Sequence, residues 1–178
     1  IGVIMVFLYL PGRLIVKKIS SISPLQSLVL SFVLGISLLS LVAYIFGNLG
    51  MRIVVPLYIA WCTIITLPSF RHEIRYLRSS LSEIFKEKIL LLILLVGVPI
   101  ATSAIFLSGL PNSDGLYFFG VNPIDGLFHI SLINSLTNFV PPLEPGLPNT
   151  PMANYHYLSN LVLAEITRLT GLPRFNLF

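Results

Sequence analysis

Asp125 and His129 stand one helical turn apart in NPIDGLFHISLINSL, residues 122–136. A carboxylate so placed can take a proton from a hydroxyl or hold a divalent cation such as Mg or Mn. An imidazole one turn on can share that cation or contact a phosphate. Asp125 also suits a plainer task, because it occupies the third helical position after Asn122, where a carboxylate can close a capping box and favour the helix dipole. His129, on an apolar face, equally suits a hydrogen-bonded core position. Asp114, in NSDG, is a second candidate acid and also a turn former. Tyr155 and His156, in NYHYL, could stack on a sugar and contact a phosphate, or could sit in an interfacial aromatic belt. Glu144, enclosed by prolines, reads as solvated.

The helix that must position Asp125 and His129 is expected from about Pro123 to Asn138, with Asn122 as cap and proline at the first helical position. At about 100° per residue, Ser131, Asn134, Ser135 and Asn138 share one side. Asp125, Phe128, His129, Leu132 and Leu136 share the other. The ionisable pair therefore begins the apolar face, the side expected to press on membrane or protein.

Of the 178 residues, 55% are hydrophobic and only 10% charged, and the mean hydropathy is +0.90. A soluble globular chain is excluded on those values, and the expected fold class is all-α, a polytopic helical membrane protein. Ile1–Leu10 reads as the end of a truncated helix, because a run of that length reaches only about half a bilayer core. Full spans are expected at 25–46, 53–70 and 89–108, with Pro56 tolerated in a first turn and Pro99 inside the last. Cys62 is the single cysteine, so no intrachain disulfide is possible.

Charge orients these spans. Arg13, Lys17 and Lys18 lie in the 11–24 segment, and Arg71, Arg75, Arg78, Lys86 and Lys88 in or at the end of the 71–88 segment, whereas residues 109–167 hold no lysine or arginine. Segments 11–24 and 71–88 are therefore expected to be cytoplasmic loops with solvated basic residues, and 109–156 an external loop. The formal net charge of +4 reports topology, and no nucleic acid is expected as a partner. The external segment holds seven of the thirteen prolines and two of the three histidines, too polar to span and too structured to be an idle linker. PPLEPGLPNTP reads as a partly extended strap. The loop is expected to dock, with the Asp125, Phe128, His129, Leu132 face toward the helices and His156 nearby, because exposing that face forfeits roughly 1.5–3 kcal/mol per large apolar side chain. Residues 157–178 read as a second juxtamembrane helix, with Glu165 and Arg168 paired, and the start of a further span.

A span followed by an external loop with an early acid, a DGLFH juxtamembrane helix, a proline-rich strap and an NYHYL entry to the next helix resembles the loop of large bacterial and archaeal membrane proteins related to the GT-C glycosyltransferases. The stretch SPLQSLVLSFVLGISLLSLVAYIFGNLG is also similar to the N-terminal spans of such proteins. The resemblance implies an N-terminal fragment of a cytoplasmic-membrane enzyme that transfers a sugar from a polyprenyl-phosphate donor to an acceptor at the external face, amid membrane lipids. It implies Asp125 as the base or metal-linked acid and Asp114 as the second match, with His129, His156 and Tyr155 contacting substrate. The competing readings are a transporter or channel subunit, which would want ionisable groups inside its spans, and a non-catalytic membrane scaffold.

Overall fold

The computed structural model describes residues 2–19, 21–103, 108–118, 123–147 and 149–172. They are mainly helical, as the composition requires. The first helix does not stop at Leu10. From α1 (Gly2–Ile4) the chain passes through a π turn (Met5–Tyr9) into α2 (Leu10–Val16), so most of what reads as the start of a loop is helix. Pro11 explains the π turn. Its ring would strike the carbonyl one turn back in a regular α-helix, and the wider turn, in which Leu10 N–H reaches back to the Met5 carbonyl, relieves that clash.

α3 (Pro24–Asn48) begins on a complete capping box, in which the Ser23 side chain accepts from Gln26 N–H and the Gln26 side chain from Ser23 N–H. It crosses α2 at the closest approach two backbones allow. A Cβ on Gly35 would strike the Leu8 carbonyl oxygen, and one on Gly12 the Ser31 carbonyl oxygen. Small residues at both places are what permit the contact.

α4 (Val54–Thr66) follows, with Pro56 in its first turn as expected. A short 3-10 turn (Leu67–Ser69) then leads into α5 (Phe70–Ile84). The 71–88 segment is thus chiefly a helix where a loop was expected. Two helical stretches are long and apolar enough to cross a membrane, Pro24–Asn48 and Val54–Ile84, while Gly2–Val16 and Lys88–Thr102 are apolar but shorter. α6 (Lys88–Ser103) contains Pro99 and leaves nearly all of its large side chains exposed.

After α6 comes an antiparallel hairpin absent from the sequence reading, β1 (Ser108–Asn112) with β2 (Gly115–Phe118). α7 (Pro123–Asn138) has the expected bounds; its expected cap, Asn122, lies outside the described residues. The strap is ordered: Leu143 N–H donates to Ser135 Oγ at 2.7 Å, and Leu143 bridges Pro151. Val140 seats on Gly47, where a Cβ would lie 2.8 Å from its Cγ1. α8 (Leu158–Thr170) ends on Gly171, whose φ of 70° is the left-handed conformation that closes a helix.

The core joins Leu39 and Ala43 of α3 and Val55 and Ile59 of α4 to Leu132, Ile133 and Leu136 of α7 and Leu161 and Ala164 of α8. The loop segment therefore docks, as its apolar face demands. Two buried ionic knots pin the helices. At one, Arg13 Nε donates at 2.8 Å to Glu73 Oε2 and its Nη1 at 2.7 Å to Ser27 Oγ, while the guanidinium lies 4.0 Å over the Tyr76 ring. Arg13 is buried, and so departs from the expectation of a solvated basic face; Arg71, Arg75 and Arg78 are exposed and agree with it. At the other knot, Glu165 is fully buried. It accepts from Arg52 Nε at 2.9 Å and Arg168 Nε at 3.0 Å, and Arg52 Nη1 also donates to the Thr137 carbonyl at 3.1 Å.

Gly35→Ala should weaken the α2–α3 crossing by about 3 kcal/mol, the upper range for overpacking, because backbone rather than a flexible side chain must move. Thermal unfolding in detergent measures it; a midpoint equal to the parent's would mean that the helices slide apart without cost. Glu165→Gln should lower stability by on the order of 2 kcal/mol, through loss of charge at a buried site shared by two arginines that keep some solvent contact. It should also raise protease cleavage in the 139–157 strap, where unchanged cleavage would detach the knot from docking.

Candidate functional site

The candidate acids and histidines separate into three places. Asp114 is exposed, in the two-residue turn of the hairpin, with Ser113 Oγ 3.3 Å from its Oδ1. Asp125 is exposed on the first turn of α7, so it occupies the rim of the apolar face and not its buried centre. His129 and Phe128 are half-buried, and Leu132, one turn further, is fully buried. The face thus sinks progressively into the core from its acidic end. Ile133 joins it, having been left off the projected stripe.

His129 is held from α8. Asn160 Nδ2 lies 3.2 Å from His129 Nδ1, and Asn160 is itself buried. The contact sets the orientation of the imidazole from α8. A row of rings then leads away from His129. The Phe128 ring is 5.8 Å from His129 and 5.4 Å from Tyr155, edge to face, and Tyr155 stacks on His156 at 4.7 Å. The structure so brings His129, Tyr155 and His156 into one aromatic series.

Beside this series lies an open groove of about 1040 Å³ between α3 and the strap. Its α3 wall runs from Ile36 to Asn48, some 18 Å at the helical rise. Ile36 and Leu41 alternate there with Ser37 and Ser40, whose hydroxyls donate to carbonyls of α3, and Tyr44, Asn48, Tyr155 and His156 contribute aromatic and polar groups. Tyr44 and Tyr157 meet at 6.1 Å between centroids. Burial pushes the Tyr157 phenol above its usual pKa, and the hydrogen bond to Asn48 pulls the other way. Asp125 and His129 are not in the groove wall.

Asn160, Tyr44 and Asn48 escaped the sequence reading. Asn160 had a signal: it is a polar residue in the apolar run of α8, on the same side as Leu161, Ala164 and Glu165, all buried. Tyr44 and Asn48 close an apolar span and gave no such sign. A divalent cation finds a thin donor set here. Among the described residues no three His, Cys, Asp or Glu side chains gather in a metal-binding group, and Asp125 with His129 would need oxygens from elsewhere to complete a six-fold shell. No protein-family model, curated protein or solved structure matches this chain.

Proposed function

We propose that this chain forms part of a polytopic membrane glycosyltransferase of GT-C type, which moves a sugar from a polyprenyl-phosphate donor to an acceptor at the external face. The groove carries the reading. It runs beside a membrane-length helix, and its wall mixes apolar side chains, Ile36, Leu41, Met152 and Leu158, with aromatic, amide and imidazole groups, as a ligand with an isoprenoid tail and a phosphate head requires. The tail lies along Ile36 and Leu41, and the head reaches Tyr155 and His156. The ring series connects that end to α7, which presents the Asp125 carboxylate on its first turn. In this reading Asp125 takes the proton of the acceptor hydroxyl as its oxygen bonds to the anomeric carbon of the sugar, the sugar–phosphate bond breaks, and His129 or His156 contacts the departing polyprenyl phosphate. Asp114 serves as the second acid.

One observation favours a non-catalytic membrane scaffold instead: Asp125 is exposed and stands outside the groove wall. Asp125→Asn separates the two readings. Asparagine keeps an acceptor oxygen for a helix cap, so stability should change by about 1 kcal/mol or less. Transfer by the full-length protein in proteoliposomes, assayed across a panel of polyprenyl-phosphate sugars, should fall at least about a hundredfold, the scale of a lost general base. Undiminished transfer would remove Asp125 from the chemistry, and a parent protein inert to every donor would favour the scaffold.

Sidedness is tested separately. Ser82 and Ser113 are exposed, unlike the buried Ser80. Carried as single cysteines in a Cys62→Ser background, Ser113→Cys should react with an impermeant maleimide in intact cells and Ser82→Cys only after permeabilisation. Equal labelling of both would reverse or abolish the assigned orientation.

A further inference from the structure

The segment of highest positive charge is a helix with three distinct faces. Projected at about 100° per residue, Glu73, Tyr76 and Ser80 of α5 fall on one side. That side is the one packed inward: Glu73 and Ser80 are buried, and Tyr76 lies under the Arg13 guanidinium. Next to it runs an apolar stripe. Phe70, Ile74, Leu77, Leu81 and Phe85 share a sector of about 80°. Leu77, at the inner edge, packs on the Tyr9, Leu10 and Leu28 cluster, whereas Phe70, Ile74, Leu81 and Phe85 are exposed, Phe85 by 73%. Beyond the stripe comes a basic row, Arg71, Arg75 and Arg78, with Lys86 just past the end of the helix, all exposed.

The position of α5 decides what those faces meet. Arg13 links Glu73 to Ser27, and ten residues further along α5 Glu83 Oε2 accepts from Leu25 N–H at 3.1 Å. Glu73 reaches Ser27 only through the Arg13 side chain, whereas Glu83 meets the first turn of α3 directly, so the end of α5 packs at the starting end of α3. Within the Val54–Ile84 stretch α4 is the apolar part, and α5 carries Arg71, Arg75 and Arg78 beside an apolar stripe, the form of a helix that rests in a bilayer surface at the end of a span.

We infer that α5 is an interfacial helix that binds anionic phospholipid. Phe70, Ile74, Leu81 and Phe85 enter the acyl boundary, and Arg71, Arg75, Arg78 and Lys86 take up lipid phosphates from the same leaflet. The solvated basic face expected from sequence is in this account a lipid-binding row. The ligand is the lipid headgroup, because the apolar stripe adjoins the charges and a soluble polyanion would leave it in water. The inference rests on the membrane-spanning part of the proposed function and is independent of catalysis.

The test uses the full chain in nanodiscs of phosphatidylcholine with or without phosphatidylglycerol, in a Cys62→Ser background. Nitroxides are placed singly at Val33 on the exposed side of α3, at Leu81 on the stripe and at Ser79 on the polar side of α5. Val33 should show the oxygen-over-nickel collision ratio of a site in lipid; failure there would overturn the membrane reading itself. With Val33 in lipid, Leu81 should show a raised ratio and Ser79 a low one, and equal low ratios at the two would overturn the inference. In the second measurement, spin-labelled phosphatidylglycerol should associate several-fold more tightly than phosphatidylcholine. R71Q/R75Q/R78Q, which alters only exposed side chains, should return that preference to unity. A preference unchanged by the triple substitution would overturn the basic row as its source. So would a row that binds RNA or another soluble polyanion while phosphatidylglycerol shows no preference.

Discussion

Glu165 governs where the candidate site can be. Its carboxylate is fully buried, and a bare charge there would cost several kcal/mol in lost hydration. Arg52, from the α3–α4 connection, and Arg168, from the same helix as Glu165, remove that cost by taking one oxygen each. Arg52 then reaches the Thr137 carbonyl at the end of α7. A single cation thus ties the end of α8, the end of α7 and the α3–α4 turn. Such a knot adds little net stability compared with a well-packed apolar contact, but it admits one arrangement of the three elements. With α8 fixed, Asn160 faces His129 and Tyr157 faces Tyr44, so the imidazole and the groove wall are set by a contact remote from both.

The same device recurs at the opposite end of α3. Arg13 and Glu73 are buried together, with Ser27, Tyr9 and the face of Tyr76 filling the remaining bonding positions. Between the knots the helices touch through backbone at Gly12 and Gly35, where no side chain could specify register. The division is physical. Apolar helices have little directional preference among themselves, so small residues allow close approach and a few enclosed charges choose one geometry. The large exposed side chains of α6 have no counterpart to this device within the described residues.

Much of this was legible in advance. Periodicity and the Pro123 position gave α7 its bounds, and the apolar face of Leu132 and Leu136 identified its buried side. What remained hidden required pairing across long separations. Arg13 is one of several basic residues in the sequence, and only the approach of Glu73, sixty residues away, distinguishes it from Arg71 or Arg75. Glu165 reads naturally as the partner of Arg168 one turn on, and nothing local points to Arg52, 113 residues earlier. The extension of the first helix past Pro11 was masked for another reason: proline reads as a helix end, and the π turn that accommodates it has no simple sequence signal. NSDG signals a turn, but only the pairing of its flanks shows that this turn joins the two strands of the 108–118 hairpin.

The position of Asp125 follows from the same constraints. α7 is anchored at its far end by Thr137 and Leu136, whereas Asp125, on its first turn, is exposed. Glu73 and Glu165 show the opposite arrangement, enclosed in the core and bonded to arginines. The chain buries the two acids that hold helices together and leaves Asp114 and Asp125 exposed, each at the start of a turn or helix. Acids that must meet a substrate and exchange a proton need access more than enclosure, and a helix start lends its dipole to the carboxylate while leaving it open. The contrast between enclosed and open carboxylates within one chain separates Glu73 and Glu165, which hold helices together, from Asp114 and Asp125, which stay accessible to solvent.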